Sequence, residues 1–150
     1  MRCEPNLIII ADDDIDDSLF LLEALLSLPL ELTVINVPSG ERLISVLKAV
    51  SPQFIFLDIN MPGKNGFDAL KHIGTNKGLN QAKVIMCSTS RSPNDRKLSG
   101  ELGADMYVTK PNTVKQMKKM VADIFEMDWT DEAIETIPAA LPFHTTMGYV

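Results

Sequence analysis

Five short runs of apolar and β-branched residues alternate along the chain with segments of helical period: "LIIIA" (7–11), "LTVINV" (32–37), "FIFLD" (54–58), "KVIMCS" (83–88) and "DMYVT" (105–109). The runs read as strands, and three are nearly continuous in their hydrophobicity, as expected of parallel strands covered on both faces. Between them, Leu19, Leu22, Leu25 and Leu26 make one helical stripe; Leu43, Val46, Leu47 and Val50 make a second; Val114, Met117, Val121 and Ile124 make a third. Ser39, Ser92 before Pro93, and Asn112-Thr113 stand at helix starts, where a side-chain oxygen can accept from N–H groups that have no intrahelical partner. Five strand–helix repeats predict an α/β fold: a doubly wound parallel sheet with right-handed crossovers and helices on both faces.

With 150 residues, 45% of them hydrophobic, the chain suits one domain with one core. Cys3 and Cys87 lie far apart without CxxC spacing, which suggests neither a disulfide framework nor a zinc site and fits a reducing cytoplasm. The apolar run 7–11 is too short for a signal peptide and is followed by acids. "LFLLEALLSLPL" contains Glu23 and Pro29 and is too short to span a bilayer, so a soluble protein with no membrane partner is expected. The net charge of −6 is unevenly spread: −7 over residues 1–60, +6 over 61–125 and −5 over 126–150. A cation site on one side and partner contacts on the other would suit that polarity.

In open sheets of this kind ligands bind at the carboxyl ends of the strands, near the point where strand order reverses. The residues at those ends are Asp12, Asp13 and Asp14 after the first strand, Asp58 at the end of the third, Ser88-Thr89 after the fourth and Lys110-Pro111 after the fifth. The second strand ends in uncharged Val37-Pro38-Ser39, which suits a strand at the sheet margin. Carboxylates on adjacent loops make a hard oxygen site suited to Mg²⁺, and a lysine and a hydroxyl can neutralise a developing anion. Together these groups suit phosphoryl transfer with an aspartate as nucleophile. His72 and His144 stand apart from the cluster.

Four motifs in order, "ADD" after the first strand, "DINMPGKNG" (58–66), "CSTS" (87–90) and "YVTKP" (107–111), resemble the receiver domain of two-component response regulators, of the chemotaxis-regulator type. The likeness covers residues of about 6–126 and implies a flavodoxin-like (βα)5 fold with strand order 2-1-3-4-5. It further implies that Asp58 accepts a phosphoryl group from a sensor histidine kinase or histidine phosphotransfer protein. Asp12, Asp13 and Asp58, with the backbone carbonyl of Asn60, would hold Mg²⁺. Ser88 and Lys110 would contact the phosphoryl oxygens, Ser88 and Tyr107 would act as the switch pair, and the Lys110–Pro111 bond would be cis. The protein would catalyse its own phosphorylation and dephosphorylation while serving mainly as a switch, through a face made by the fourth helix, fifth strand and fifth helix and carrying Arg91, Arg96, Lys97, Lys115, Lys118 and Lys119.

Two rivals belong to other classes. Asp12, Asp14, Asp16, Ser18, Phe20 and Glu23 fall at the ligand positions of a calcium EF-hand loop, but Asp17 stands where that loop needs glycine, and a strand precedes it in place of a helix. Asp12-x-Asp14 resembles the nucleophile motif of haloacid-dehalogenase phosphatases, although the later acidic pair of that family is missing. The expected division is a receiver domain over 1–126 and an acidic tail over 127–150, with Thr130 a candidate N-cap and Trp129, Ala133, Ile134 and Ile137 on one face of a short helix. That tail is too short for a DNA-reading domain and too acidic for nucleic acid, which points to a stand-alone receiver with an unidentified downstream protein and leaves a homodimer open.

Overall fold

A computed structural model of the chain describes residues 4–75, 81–127 and 129. Five strands, β1 (Glu4–Ala11), β2 (Thr33–Val37), β3 (Pro52–Leu57), β4 (Lys83–Ser88) and β5 (Met106–Thr109), alternate with five helices. The helices are α1 (Ile15–Leu26), α2 (Gly40–Leu47), α3 (Gly66–Thr75), α4 (Pro93–Glu101) and α5 (Val114–Glu126). All neighbouring strands pair in parallel, in the order β2-β1-β3-β4-β5. The strand with the uncharged end, β2, is at the sheet margin as its sequence suggests.

The unbroken hydrophobicity of β1 serves two cores at once, because successive side chains leave a strand on opposite faces. Ile9 and Ala11 pack with Leu43 and Leu47 of α2 and Leu70 and Ile73 of α3. Ile8 and Ile10 pack with Leu21 and Leu25 of α1 and Met120 and Val121 of α5. Each of these side chains is almost fully removed from water, and such burial contributes roughly 1.5–3 kcal/mol for each large aliphatic side chain.

Caps set the helix starts, three of them where the sequence places them. Asp14, Ser39, Ser92 and Thr113 each accept the N–H three residues on, from Asp17, Arg42, Asp95 and Gln116.

On α1 the buried face keeps only half of the predicted stripe: Leu25 is buried and Leu22 packs against the core. Ser18, Leu21, Ala24 and Leu25 face inward, whereas Leu19 is 54% and Leu26 59% exposed. In "LFLLEALL" apolar residues stand at nearly every position, so period alone does not choose a face; small Ser18 and Ala24 are the buried positions that the leucines do not mark. The Lys110–Pro111 bond is trans, since no peptide bond among the described residues is cis. Trans is the lower-energy form even before proline, by about 0.5–1 kcal/mol; the Lys110 N–H, on the preceding peptide, donates to the Ser88 carbonyl at 2.8 Å.

The chain continues past α5 to Met127 and Trp129, which both pack on the α1/α5 core. The Trp129 ring meets Phe54 edge-on at 5.6 Å, and its indole N–H donates to the Ile124 carbonyl at 2.8 Å. The tail helix expected from Thr130, Ala133, Ile134 and Ile137 lies outside the described residues. Among the described residues no helix is long and apolar enough to cross a membrane.

Candidate active site

Strand order reverses between β1 and β3, and this is where the acidic residues meet. Ala11 pairs with Leu57, so the next residues, Asp12 and Asp58, leave the sheet side by side. The backbone fixes both: the Asp12 N–H donates to the Val37 carbonyl at 3.0 Å, and the Asp58 N–H to the Ala11 carbonyl at 2.9 Å. Asp12 and Asp58 are buried and Asp13 is exposed, yet oxygens of all three carboxylates lie within 4.8 Å of one another.

The lysine at the end of β5 crosses the sheet edge to this cluster. Its Nζ donates to Asp12 Oδ2 at 2.7 Å and to Asp17 Oδ2 at 2.8 Å, and lies 3.6 Å from Asp58 Oδ2. Burial works against the charged amine, but the bonds to Asp12 and Asp17 and the charge of Asp58 outweigh it, holding its pKa above lysine's ordinary value. Burial raises the pKa of Asp58 to about 6, with Lys110 pulling it down and Asp12 pushing it up. Backbone N–H groups of Ile59, at 2.9 Å, and Asn60 donate to the same carboxylate.

Three carboxylates around one ammonium, with Asp13 beside two of them, leave excess negative charge in a half-buried site, and hard oxygens at this separation suit a divalent cation. The Ser88 hydroxyl is buried and accepts the Ser90 N–H at 3.3 Å. Tyr107 points inward, donating from its hydroxyl to the Ser90 carbonyl at 2.7 Å, with Arg96 5.5 Å from the ring centre. Burial of the Cys87 thiol pushes its pKa up to about 12, so it lines the site as a neutral side chain.

The loop after Asp58 holds its shape through glycine. A Cβ on Gly66 would collide with the Asp58 carbonyl oxygen, and the Gly66 N–H closes the loop on the Ile59 carbonyl at 2.8 Å. Gly63 adopts φ +69, where side chains are strained. The spacing of "DINMPGKNG" is thus a steric requirement of the turn that carries the aspartate.

The structure therefore brings together Asp12, Asp13, Asp58 and Lys110 directly, and sets Ser88 and Tyr107 on the neighbouring strands β4 and β5. Asp17 is the participant the sequence did not disclose. Its short carboxylate in the first turn of α1 reads as a dipole partner, but it shares a helix face with Leu21 and Ala24, four and seven residues on. The EF-hand reading fails because Asp16, Ser18, Phe20 and Glu23 lie on α1, where no loop can wrap a cation.

The response regulator receiver domain family model matches residues 8–122. Response regulator Rcp1 of Synechocystis is 30% identical over 91% of this chain and 95% of its own length. The transcriptional regulatory protein CpxR of Klebsiella pneumoniae is 33% identical, but the match spans only 56% of its length. Among solved structures, the Mn²⁺-bound form of Rcp1 superposes with TM-score 0.73 at 29% identity, covering 80% of this chain and 91% of that one. The phosphorylated cyanobacterial phytochrome response regulator RcpA gives 0.76 at 28% identity, covering 81% and 91%. The chain belongs to the response regulator receiver domain family of two-component signalling.

Proposed function

We propose that this receiver takes a phosphoryl group onto Asp58 from a phosphohistidine of a sensor histidine kinase or histidine phosphotransfer protein, with Mg²⁺ held by Asp12, Asp13, Asp58 and the Asn60 carbonyl. An Asp58 carboxylate oxygen attacks phosphorus, the phosphorus–nitrogen bond breaks, and the freed imidazole takes a proton. The observation that carries this reading is the placement of Asp58: a buried carboxylate at the strand-order reversal, grouped with two others and 3.6 Å from Lys110.

The cation would supply charge neutralisation to the phosphoryl oxygens. Lys110 places a fixed positive charge beside the acceptor oxygen, and the Ile59 and Asn60 N–H groups orient the carboxylate. Ser88 would donate its hydroxyl to a phosphoryl oxygen. A shift of Ser88 would be felt at Ser90, whose N–H it accepts and whose carbonyl holds the Tyr107 hydroxyl, so Ser88 and Tyr107 form the switch pair.

Downstream contact is assigned to the α4–β5–α5 face, where Arg91, Lys97, Lys115 and Lys118 are exposed, and the receiver domain to residues 1–126 with 127–150 as its tail. The protein would work in the cytoplasm by contact with other proteins, not with nucleic acid. The likeness to RcpA, a phytochrome response regulator, supports a kinase partner of the phytochrome-pathway kind.

Incubation with acetyl phosphate and Mg²⁺ tests the chemistry. One hydroxylamine-sensitive phosphoryl group per chain, absent from Asp58→Asn and absent without divalent cation, is the expected result. Steady phosphate release from phosphomonoesters, lost in Asp12→Asn, would indicate the phosphatase chemistry instead.

A further inference from the structure

Asp12 carries two obligations. Its Oδ1 accepts the Asp14 N–H at 3.0 Å and its Oδ2 accepts from Lys110 at 2.7 Å, yet the same carboxylate belongs to the acidic trio that would hold a cation. A lysine amine has three N–H donors, and engagement of Asp12 elsewhere would weaken its hold on one of them. Asp17 accepts from Lys110 at 2.8 Å, stands outside the acidic trio, and comes from a different element, the first turn of α1.

We infer that Asp17 is the positioning residue of Lys110, keeping the amine beside Asp58 when Asp12 is drawn to the cation. The consequence for phosphoryl uptake rests on the phosphoacceptor role of Asp58; the tether itself rests only on the geometry of Lys110. A single carboxylate would let the lysine swing out along its four-carbon stem once that partner is shared. Two carboxylates, one committed to lysine alone, keep the charge in place. Asp17 is one-third exposed and the Lys110 side chain 9% exposed, so the tether holds the amine from the more solvent-exposed of its two hydrogen-bonded carboxylates.

The folded protein carrying ¹⁵N-labelled lysine provides the test. The Lys110 ammonium signal, slowed in exchange by burial and hydrogen bonding, is expected in the wild type with and without saturating Mg²⁺. In Asp17→Asn it should persist without Mg²⁺ and vanish when Mg²⁺ is added, and Asp17→Glu should restore it. Asp16→Asn removes the same charge from an exposed neighbour on the same turn and should behave as the wild type.

With acetyl phosphate, Asp17→Asn should be phosphorylated roughly tenfold more slowly, as expected for a displaced catalytic group, and Asp16→Asn within about twofold of wild type. An ammonium signal in Asp17→Asn that is the same with and without Mg²⁺, or a wild-type phosphorylation rate in that variant, overturns the inference. A wild type that never takes up phosphate while its Asp17→Asn variant loses the signal on Mg²⁺ addition overturns the phosphoacceptor reading and leaves the tether standing.

Discussion

The carbonyl oxygen of Asp58 occupies the space that a Cβ on Gly66 would fill. The residue proposed to be phosphorylated and the glycine eight positions later are therefore locked together by contact. In an exposed helix Gly→Ala ordinarily gains about 1 kcal/mol. At Gly66, the first residue of α3, the clash reverses that sign, and Gly66→Ala should destabilise the protein by about 1–3 kcal/mol. Urea unfolding measures it, and a gain in stability would contradict the close approach.

Asp58 gives stability a pH dependence of unusual direction for an aspartate. Its pKa rises from 3.8 to about 6 on folding, chiefly through burial. Between those values the folded state keeps a proton that the unfolded chain releases, so this group's contribution falls as pH rises through the window, and above it the whole penalty remains. Two units correspond to at most about 3 kcal/mol. In metal-free protein Asp58→Asn should therefore be the more stable form at neutral pH, by up to that amount, with the advantage fading as pH drops from about 6 and gone below the ordinary aspartate value. Denaturant midpoints for both proteins across that range supply the check; a constant difference would show that Asp58 is not desolvated.

Five strands, the marginal place of β2 and three helix caps were legible because each rests on local chemistry: apolar runs, turn residues and side-chain oxygens at helix starts. The inward face of α1 was not, since leucines at 19, 21, 22, 25 and 26 satisfy several stripes and only the small Ser18 and Ala24 decide which approaches the sheet. The same rotation directs Asp17 to Lys110, so the missed face and the missed site residue have one cause. Residues 93 positions apart meet only once β5 lies three strands from β1 and α1 packs against the same side of the sheet as α5.

Ser18 offers a sharp test of that rotation. Its hydroxyl oxygen is buried and has no hydrogen-bond partner among the described residues. An unsatisfied buried hydroxyl costs about 1–3 kcal/mol, and alanine is the better helix former. Ser18→Ala should raise the thermal midpoint, equivalent to about 1 kcal/mol; if Leu19 faced the core instead, the change would fall on the surface and alter stability little.

Trp129 ties the end of the described chain to the middle of the sheet, through Phe54 at 5.6 Å and the Ile124 carbonyl at 2.8 Å. Trp129→Ala removes part of a shared aromatic cluster that includes Phe125, 4.9 Å from Phe54. A loss of about 2 kcal/mol in equilibrium unfolding is expected, less than the 3–5 kcal/mol of a fully buried ring, because Trp129 is only partly buried. No loss would place the indole in solvent.

Which carboxylate carries the phosphoryl group is read most directly by intact-mass measurement after acetyl phosphate and Mg²⁺. A single phosphoryl increment on the wild type that is removed by hydroxylamine, and none on Asp58→Asn while Asp13→Asn is slowed for want of cation, is the predicted result. An increment that persists in Asp58→Asn would contradict it.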